Sequence, residues 1–200
     1  MQLIVATRNA HKTREIQRIL GPAFTVSDLC AHPEIPDIRE TGKSYEENAI
    51  LKAVGASGHF PGLVVADDSG LEVDALRGAP GIFSARYAGE NATDKRNIDR
   101  LLNELDRTGA GETKRSARFR CVIALARQGE LLGTFEGIAE GTIAERVRGS
   151  HGFGYDPVFV PRGFEKTFAE LPADVKDTIS HRAKALRGLT AKFAALKTED

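Results

Sequence analysis

Cysteine is scarce in this chain, with two in 200 residues. Cys30 and Cys121 are too few and too scattered for a disulfide framework or a zinc site, so both read as reduced thiols. Net charge is absent as well. The 28 basic residues balance 28 acidic ones, which argues against a basic footprint for long nucleic acid, while a local cluster for a small anion stays open. Long apolar runs are missing too. No stretch approaches the ~20 residues needed to span a bilayer, and no charged-then-apolar leader precedes the first strand, so the expectation is a cytoplasmic protein with no membrane partner. Repeats and low-complexity tracts are lacking, and 41% hydrophobic content fits one globular domain over residues 1–200, or two lobes sharing a core.

What is present centres on residues 63–87, LVVADDSGLEVDALRGAPGIFSARY. Leu63, Val64, Val65 and Ala66 form a short apolar run bounded by Pro61-Gly62 and Asp67-Asp68, the pattern of a strand covered on both faces. Its carboxyl end is expected to meet solvent at the two aspartates. Ligands collect at that end of strands in open α/β sheets, and adjacent carboxylates repel unless a cation neutralises them. After Ser69-Gly70, LEVDAL alternates apolar with acidic and predicts a second strand, and GAPG predicts a turn. An acidic turn without function competes with this reading, because Asp-Ser-Gly is ordinary turn chemistry.

Leu3, Ile4, Val5 and Ala6 predict a strand, and Ile16, Ile19 and Leu20 fall at helical spacing after it. Thr7 or Asn9 caps that helix. Arg8, His11 and Lys12 crowd its start, where the helix dipole disfavours positive charge and a bound anion would remove the conflict. Backbone N–H groups, a hydroxyl, an amide and a lysine are parts of a phosphate site, although P-loop glycines are missing. Residues 21–43 predict a strand and an exposed loop ending at Glu40-Thr41-Gly42. Ser44 with Glu47 is a capping box opening a helix that stops near Gly58. Thr93 caps a further helix carrying Ile98, Leu101, Leu102 and Leu105 on one face. Residues 110–116 read as a polar link, followed by two strands joined around Gly129-Glu130 as an antiparallel hairpin in a mixed sheet.

A second cluster is Gly149-Ser150-His151-Gly152-Phe153-Gly154-Tyr155-Asp156-Pro157, entering the apolar run Val158, Phe159, Val160. Its glycines let backbone approach a ligand, its aromatic faces could stack on a base, and Asp156 could bond a ring or sugar. A plain glycine-rich loop is the alternative. Ser180-His181-Arg182 opens a last helix with Leu186, Leu189, Phe193 and Leu196 on one face, again placing positive groups at a helix start, with Lys176 nearby.

Together, Thr7-x-Asn9-x-x-Lys12, Glu40-Thr41-Gly42, Ala66-Asp67-Asp68-Ser69-Gly70-Leu71, Gly78-Ala79-Pro80-Gly81, Ser84-Ala85-Arg86-Tyr87, Gly152-Phe153-Gly154-Tyr155-Asp156-Pro157 and Ser180-His181-Arg182 resemble the inosine/xanthosine triphosphate pyrophosphatase family over nearly the whole chain. The resemblance implies an α/β fold in which a long mixed β-sheet with flanking helices forms two lobes around a central active-site cleft. It also implies a homodimer and magnesium-dependent (Mg2+) hydrolysis of ITP, dITP and XTP to monophosphate and pyrophosphate. By the same resemblance, Thr7, Arg8, Asn9, Ala10, His11 and Lys12 hold the triphosphate. Asp68 is catalytic base and metal ligand, and Glu40 is the other metal carboxylate. Ser69, Phe153, Gly154, Tyr155, Asp156, Lys176, His181 and Arg182 contact substrate, with His181 and Arg182 as donors to a 6-keto oxygen. Asp67 is left to tuning or to a second metal. Arg8 and His11 depart from the family pattern, since many relatives carry glycine there. A pyrophosphatase for pyrimidine or modified nucleotides and a regulatory nucleotide-binding module remain as alternatives.

Overall fold

The first apolar run forms β1 (Gln2–Val5), and Asn9 starts α1 (Ala10–Leu20) where the helical spacing begins. β2 (Thr25–Asp28), α2 (Tyr45–Ser57), β3 (Val64–Val73) and α3 (Asp94–Arg107) follow, then β4 (Ser116–Arg127), β5 (Glu130–Ile143), β6 (Phe159–Pro161), α4 (Ala173–Ile179) and α5 (His181–Leu196). The computed structural model describes residues 1–109 and 115–196, with side chains as far as residue 193. Most of the expected polar link at 110–116 and the side chain of Leu196 therefore lie outside the described residues. No helix among the described residues is long and apolar enough to cross a membrane.

Six strands form one sheet in the order β2-β1-β3-β4-β5-β6. β1 is parallel to β2 and β3, with Val5 opposite both Asp28 and Val65, whereas β5 and β6 are antiparallel. The mixed α/β class expected from the sequence is thus the observed one. The β4-to-β5 turn sits where expected: Gln128 and Gly129 both have positive φ, the conformation that a tight two-residue hairpin turn requires.

The chain falls into two compact units, one built from Met1–Asp68, Cys121–Gly137 and the segment from His181 onward, the other from Ser69–Arg120 and Ile138–Ser180. In the first, Leu3, Val5, Ile16, Val65, Ile123, Leu125, Leu186 and Leu189 form the core. The buried face of α1 packs there because its apolar residues recur with the helical period. In the second, Leu71, Val73, Ile98, Leu101, Leu105, Phe119, Phe159 and Phe168 do so. Both predicted caps form: Glu47 N–H donates to Ser44 Oγ at 3.1 Å and Arg96 N–H to Thr93 Oγ1 at 3.3 Å, although the Glu47 carboxylate accepts from Lys43 N–H at 2.6 Å where a capping box has the cap residue's own N–H.

One expectation is corrected. The strand does not stop before the aspartates; β3 runs unbroken through Asp67, Asp68, Ser69 and Gly70 to Val73, and Asp74–Leu76 is a 3₁₀ turn. Asp67 and Asp68 are buried, at 2% and 7% exposure. The turn propensity of Asp-Ser-Gly is a local preference, and ion pairs supplied by distant segments override it.

Candidate active site

Successive side chains of a strand point to opposite faces, so two adjacent aspartates inside β3 must meet different surroundings. Asp67 Oδ2 accepts from Arg182 Nη2 at 2.8 Å, from Arg182 Nε at 3.0 Å and from Cys121 Sγ at 3.2 Å. Its other oxygen pairs with the Lys12 ammonium. Arg182, almost fully buried at the head of α5, also ion-pairs with Glu15 of α1. Burial opposes the charge on Asp67, but Arg182, Lys12 and Lys52 outweigh it and hold the carboxyl well below the usual aspartate range. Burial pushes the Cys121 thiol up, and neighbouring Asp67 adds to that. α5 reaches this position because β5 carries no side chain at Gly137. A Cβ there would stand 2.1 Å from the His181 carbonyl oxygen.

Asp68 faces α2 instead. Asn48 Nδ2 donates to its Oδ2 at 3.3 Å, and Lys52 Nζ approaches Oδ1 at 3.1 Å. The same ammonium donates to Glu40 Oε1 at 2.6 Å and to the Asp67 carbonyl at 2.8 Å. Burial raises the Asp68 pKa, and the like charge of Glu40 adds to this, against the lowering effect of Lys52 and Lys12. For Lys52, burial disfavours the charge, yet Asp68, Glu40 and Asp67 together keep its pKa above the ordinary lysine value. Two neighbouring carboxyls are therefore shifted in opposite directions. Asp67 is a fixed anion, while Asp68 is the better proton acceptor of the pair.

The start of α1 resolves its own charge conflict. Asn9 is the cap, and its Oδ1 accepts from the N–H groups of His11 at 2.9 Å and Lys12 at 3.3 Å. Those two donors, expected to be open to phosphate, are thus satisfied within the chain. Thr7 Oγ1 accepts from Asn9 N–H at 3.1 Å, and Ala10 opens the helix. Arg8 is drawn aside, its Nε 2.8 Å from Asp37 and its Nη2 2.6 Å from the Ile35 carbonyl. His11 Nδ1 lies 3.1 Å from Arg14 Nη2. Lys12 is the member of this group that pairs with Asp67.

In the second unit the sequence-predicted residues also converge. Lys176 Nζ is 2.6 Å from Asp156 Oδ2 and lies 5.1 Å from the centre of the Phe153 ring, within cation–π range. Asp156 Oδ2 also accepts from Phe153 N–H at 2.9 Å, closing the loop on itself. Gly152 is required here: its φ is +78°, and a Cβ would stand 2.0 Å from Asp156 Oδ2. Gly154 N–H donates to Asp94 at 2.6 Å. Tyr155 departs from the expected stacking surface. Its ring is in the core and its hydroxyl donates to the Ser84 carbonyl at 2.9 Å, which leaves Phe153, half-buried, as the aromatic face of this loop. Ser69 follows Asp68 in β3 and is half-buried.

Sequence reasoning did not single out Lys52, Glu15 or the Cys121 contact as parts of the site. Asn48 and Lys52 stand four apart, on one face of α2, and that helix leads directly into the strand with the aspartates. This spacing was the available signal.

The sequence pattern of the Ham1 family matches residues 3–192. A protein of Exiguobacterium sp. named dITP/XTP pyrophosphatase is 49% identical over 96% of this chain and 97% of its own. One of the same name from Bacillus subtilis is 47% identical over 97% and 98%. Among solved structures, a HAM1 protein from Coxiella burnetii superposes with a TM-score of 0.85 at 40% identity, covering 98% of this chain and 99% of that one. The Staphylococcus aureus Ham1 protein gives 0.82 at 41% identity, with both chains covered in full. With residues 3–192 matched by the family's pattern and the fold matched by its solved members, the chain belongs to the Ham1 family.

Proposed function

We propose that the chain hydrolyses deaminated purine nucleoside triphosphates, ITP, dITP and XTP, to the monophosphate and pyrophosphate. The observation that carries this reading is Asp68, a buried carboxyl of raised pKa held by Asn48 and Lys52 next to Glu40. Relatives at 47% and 49% identity named for this reaction on dITP and XTP support the substrate class.

Magnesium is part of the proposal, and the donor set suits it. Glu40 and Asp68 approach a single cationic point, Lys52 Nζ, at 2.6 and 3.1 Å, so both can serve one cation. Among the described residues no group of three or more His, Cys, Asp or Glu is arranged to hold a metal. A protein-only cage would need one, whereas magnesium takes one or two carboxylates and completes its shell with water and substrate phosphate. When bound, it would polarise the α-phosphate and acidify the attacking water. Asp68 orients that water and accepts its proton, and a raised pKa makes the carboxylate a stronger base for the step. Asn48 fixes one Asp68 oxygen, leaving the rotamer little freedom.

Lys12 binds the triphosphate by exchanging Asp67 for phosphate oxygens, with Thr7, Arg8, Asn9, Ala10 and His11 shaping the turn around it. Asp67 remains ionised throughout, because Arg182 stays on it. This favours tuning over a second metal as its role. Ser69, Phe153, Gly154, Asp156, Lys176, His181 and Arg182 are assigned to substrate contacts, and the protein to a cytoplasmic homodimer. Arg182 reads a 6-keto oxygen only by exchanging a bond to Asp67 or Glu15, so base selection is assigned to His181 and the Phe153 loop.

The test is pyrophosphate release across a nucleotide panel with and without magnesium. ITP, dITP and XTP should far exceed ATP and the pyrimidine nucleotides, and chelation should stop turnover. Orthophosphate and a diphosphate as first products would exclude cleavage between the α and β phosphates. Tight nucleotide binding without turnover would favour a regulatory module.

A further inference from the structure

The second unit holds a concentration of cations that the reaction above leaves unused. A pocket of about 420 Å³ beside the end of β5 is lined by Arg115, Arg146 and Arg148, with Glu145 as the one carboxylate on its described wall and Ile143 and Val160 among its apolar residues. Its volume lies within the ~300–1,000 Å³ of small-molecule sites. No aromatic ring among the described residues lines it, so its described wall offers no platform for a base.

Arg115 gives the pocket a fixed wall. Its side chain is 7% exposed, and its Nη2 is 2.8 Å from Asp106. Nη1 reaches the Ala144 carbonyl at 3.4 Å, and Nε is buried with no hydrogen-bond partner among the described residues. Arg148 Nη2 donates to the Glu165 carbonyl at 2.9 Å, and its Nε has only Glu170 at 3.4 Å. Arg146 is exposed, and no side-chain hydrogen bond or ion pair engages it among the described residues. Asp106 and Glu170 temper the positive field, but neither lines the pocket, and Asp106 is 68% exposed and so well screened by water. Three planar forks, each with donors to spare, around a space without a base platform match the geometry of a tetrahedral oxyanion.

We propose that this pocket binds a small oxyanion of the phosphate class, inorganic phosphate or pyrophosphate, at a site separate from Lys12 and the aspartates. The proposal stands apart from the hydrolytic reading, because it uses none of the residues assigned to that reaction.

Titration calorimetry tests it with pyrophosphate and, separately, inorganic phosphate, in metal-free buffer on a Lys12→Ala background that weakens the other phosphate site. The expected result is one remaining binding event per chain. A further Arg146→Ala change should weaken it about tenfold or more, as loss of a charge-assisted hydrogen bond does, and Arg146→Lys should restore part of it. Arg146 is exposed, so the variant should fold, and an unchanged melting temperature checks this. Arg146→Ala alone should leave the initial rate of nucleotide hydrolysis unchanged. Absence of binding in the Lys12→Ala protein, or binding undiminished by Arg146→Ala, overturns the proposal. The second result would leave the arginines as a solvated face or a docking surface for an acidic partner.

Discussion

Each unit of the molecule buries a carboxylate against a cation, and the two arrangements differ in what they leave over. In the second unit Asp156 and Lys176 form a buried ion pair, with the Phe153 N–H on the same carboxylate oxygen and the Phe153 ring beside the ammonium. In the first, Lys12, Lys52 and Arg182 are shared among Glu15, Glu40, Asp67 and Asp68. Three cations against four carboxylates leave one negative charge within that set. A closed pair fixes a loop, whereas an open set of charges attracts a further cation and keeps one carboxyl responsive to protons. The difference lies in stoichiometry, with Asp67 and Asp156 both buried.

The sharpest way to break this comparison is Asp68→Asn. The change removes the proton acceptor and one of two carboxylates that converge on a single point, while the contacts around Asp67 and Lys12 stay intact. Turnover should fall by orders of magnitude, with nucleotide binding retained. Retention of more than a few per cent of the pyrophosphate-release rate would show that the surplus carboxylate is not the base. Asp156→Asn should leave more activity than Asp68→Asn, because it disturbs a positioning loop.

Stability separates the two units next. Arg182→Ala removes the buried guanidinium that Asp67 and Glu15 share, and breaking a buried pair costs about 3–5 kcal/mol. Asp156→Asn removes the carboxylate charge from Lys176, a residue that can shed its proton when buried, so its loss should be the smaller of the two. Urea denaturation of both variants measures this. A cost for Arg182→Ala near that of a surface pair, about 1 kcal/mol or less, would mean that the guanidinium leaves Asp67 readily and is available to a base.

How much of this could be read beforehand depended on the range of the signal. Helix starts at Asn9, Ser44, Thr93 and His181 were legible because caps act within one turn. The hairpin at Gln128 and Gly129 was legible for the same reason. The course of β3 was not: Asp67 is kept in a strand by Arg182, far along the chain, and no local pattern reports a partner at that separation. Tyr155 looked like a stacking face because a glycine-rich loop suggests openness, but its hydroxyl has a buried carbonyl to bond and its ring joins the core. Lys52 went unremarked because a lysine on an amphipathic helix is ordinarily solvated. The family resemblance pointed to Asp68 and Glu40, while the cation joining them became visible only in three dimensions.

The finest prediction concerns the sign of two pH dependences one residue apart. Asp67 is depressed below the usual 3.8, so its contribution to stability is present above that value and is lost as pH falls through the still lower folded value. Asp68 is raised above 3.8. The folded state therefore favours its protonated form, and stability declines as pH rises from 3.8 through the folded pKa, after which the penalty is constant. Removing each charge should reveal opposite slopes. Asp67→Asn should lower stability at neutral pH and flatten the acid limb, because the group that must be protonated on acidification is gone. Asp68→Asn should gain relative to the parent as pH rises past that window, offset in part by the loss of an ion pair to Lys52. The pH profile of unfolding free energy for both variants checks this, and slopes of the same sign would mean that the two faces of β3 do not impose different environments on its adjacent aspartates.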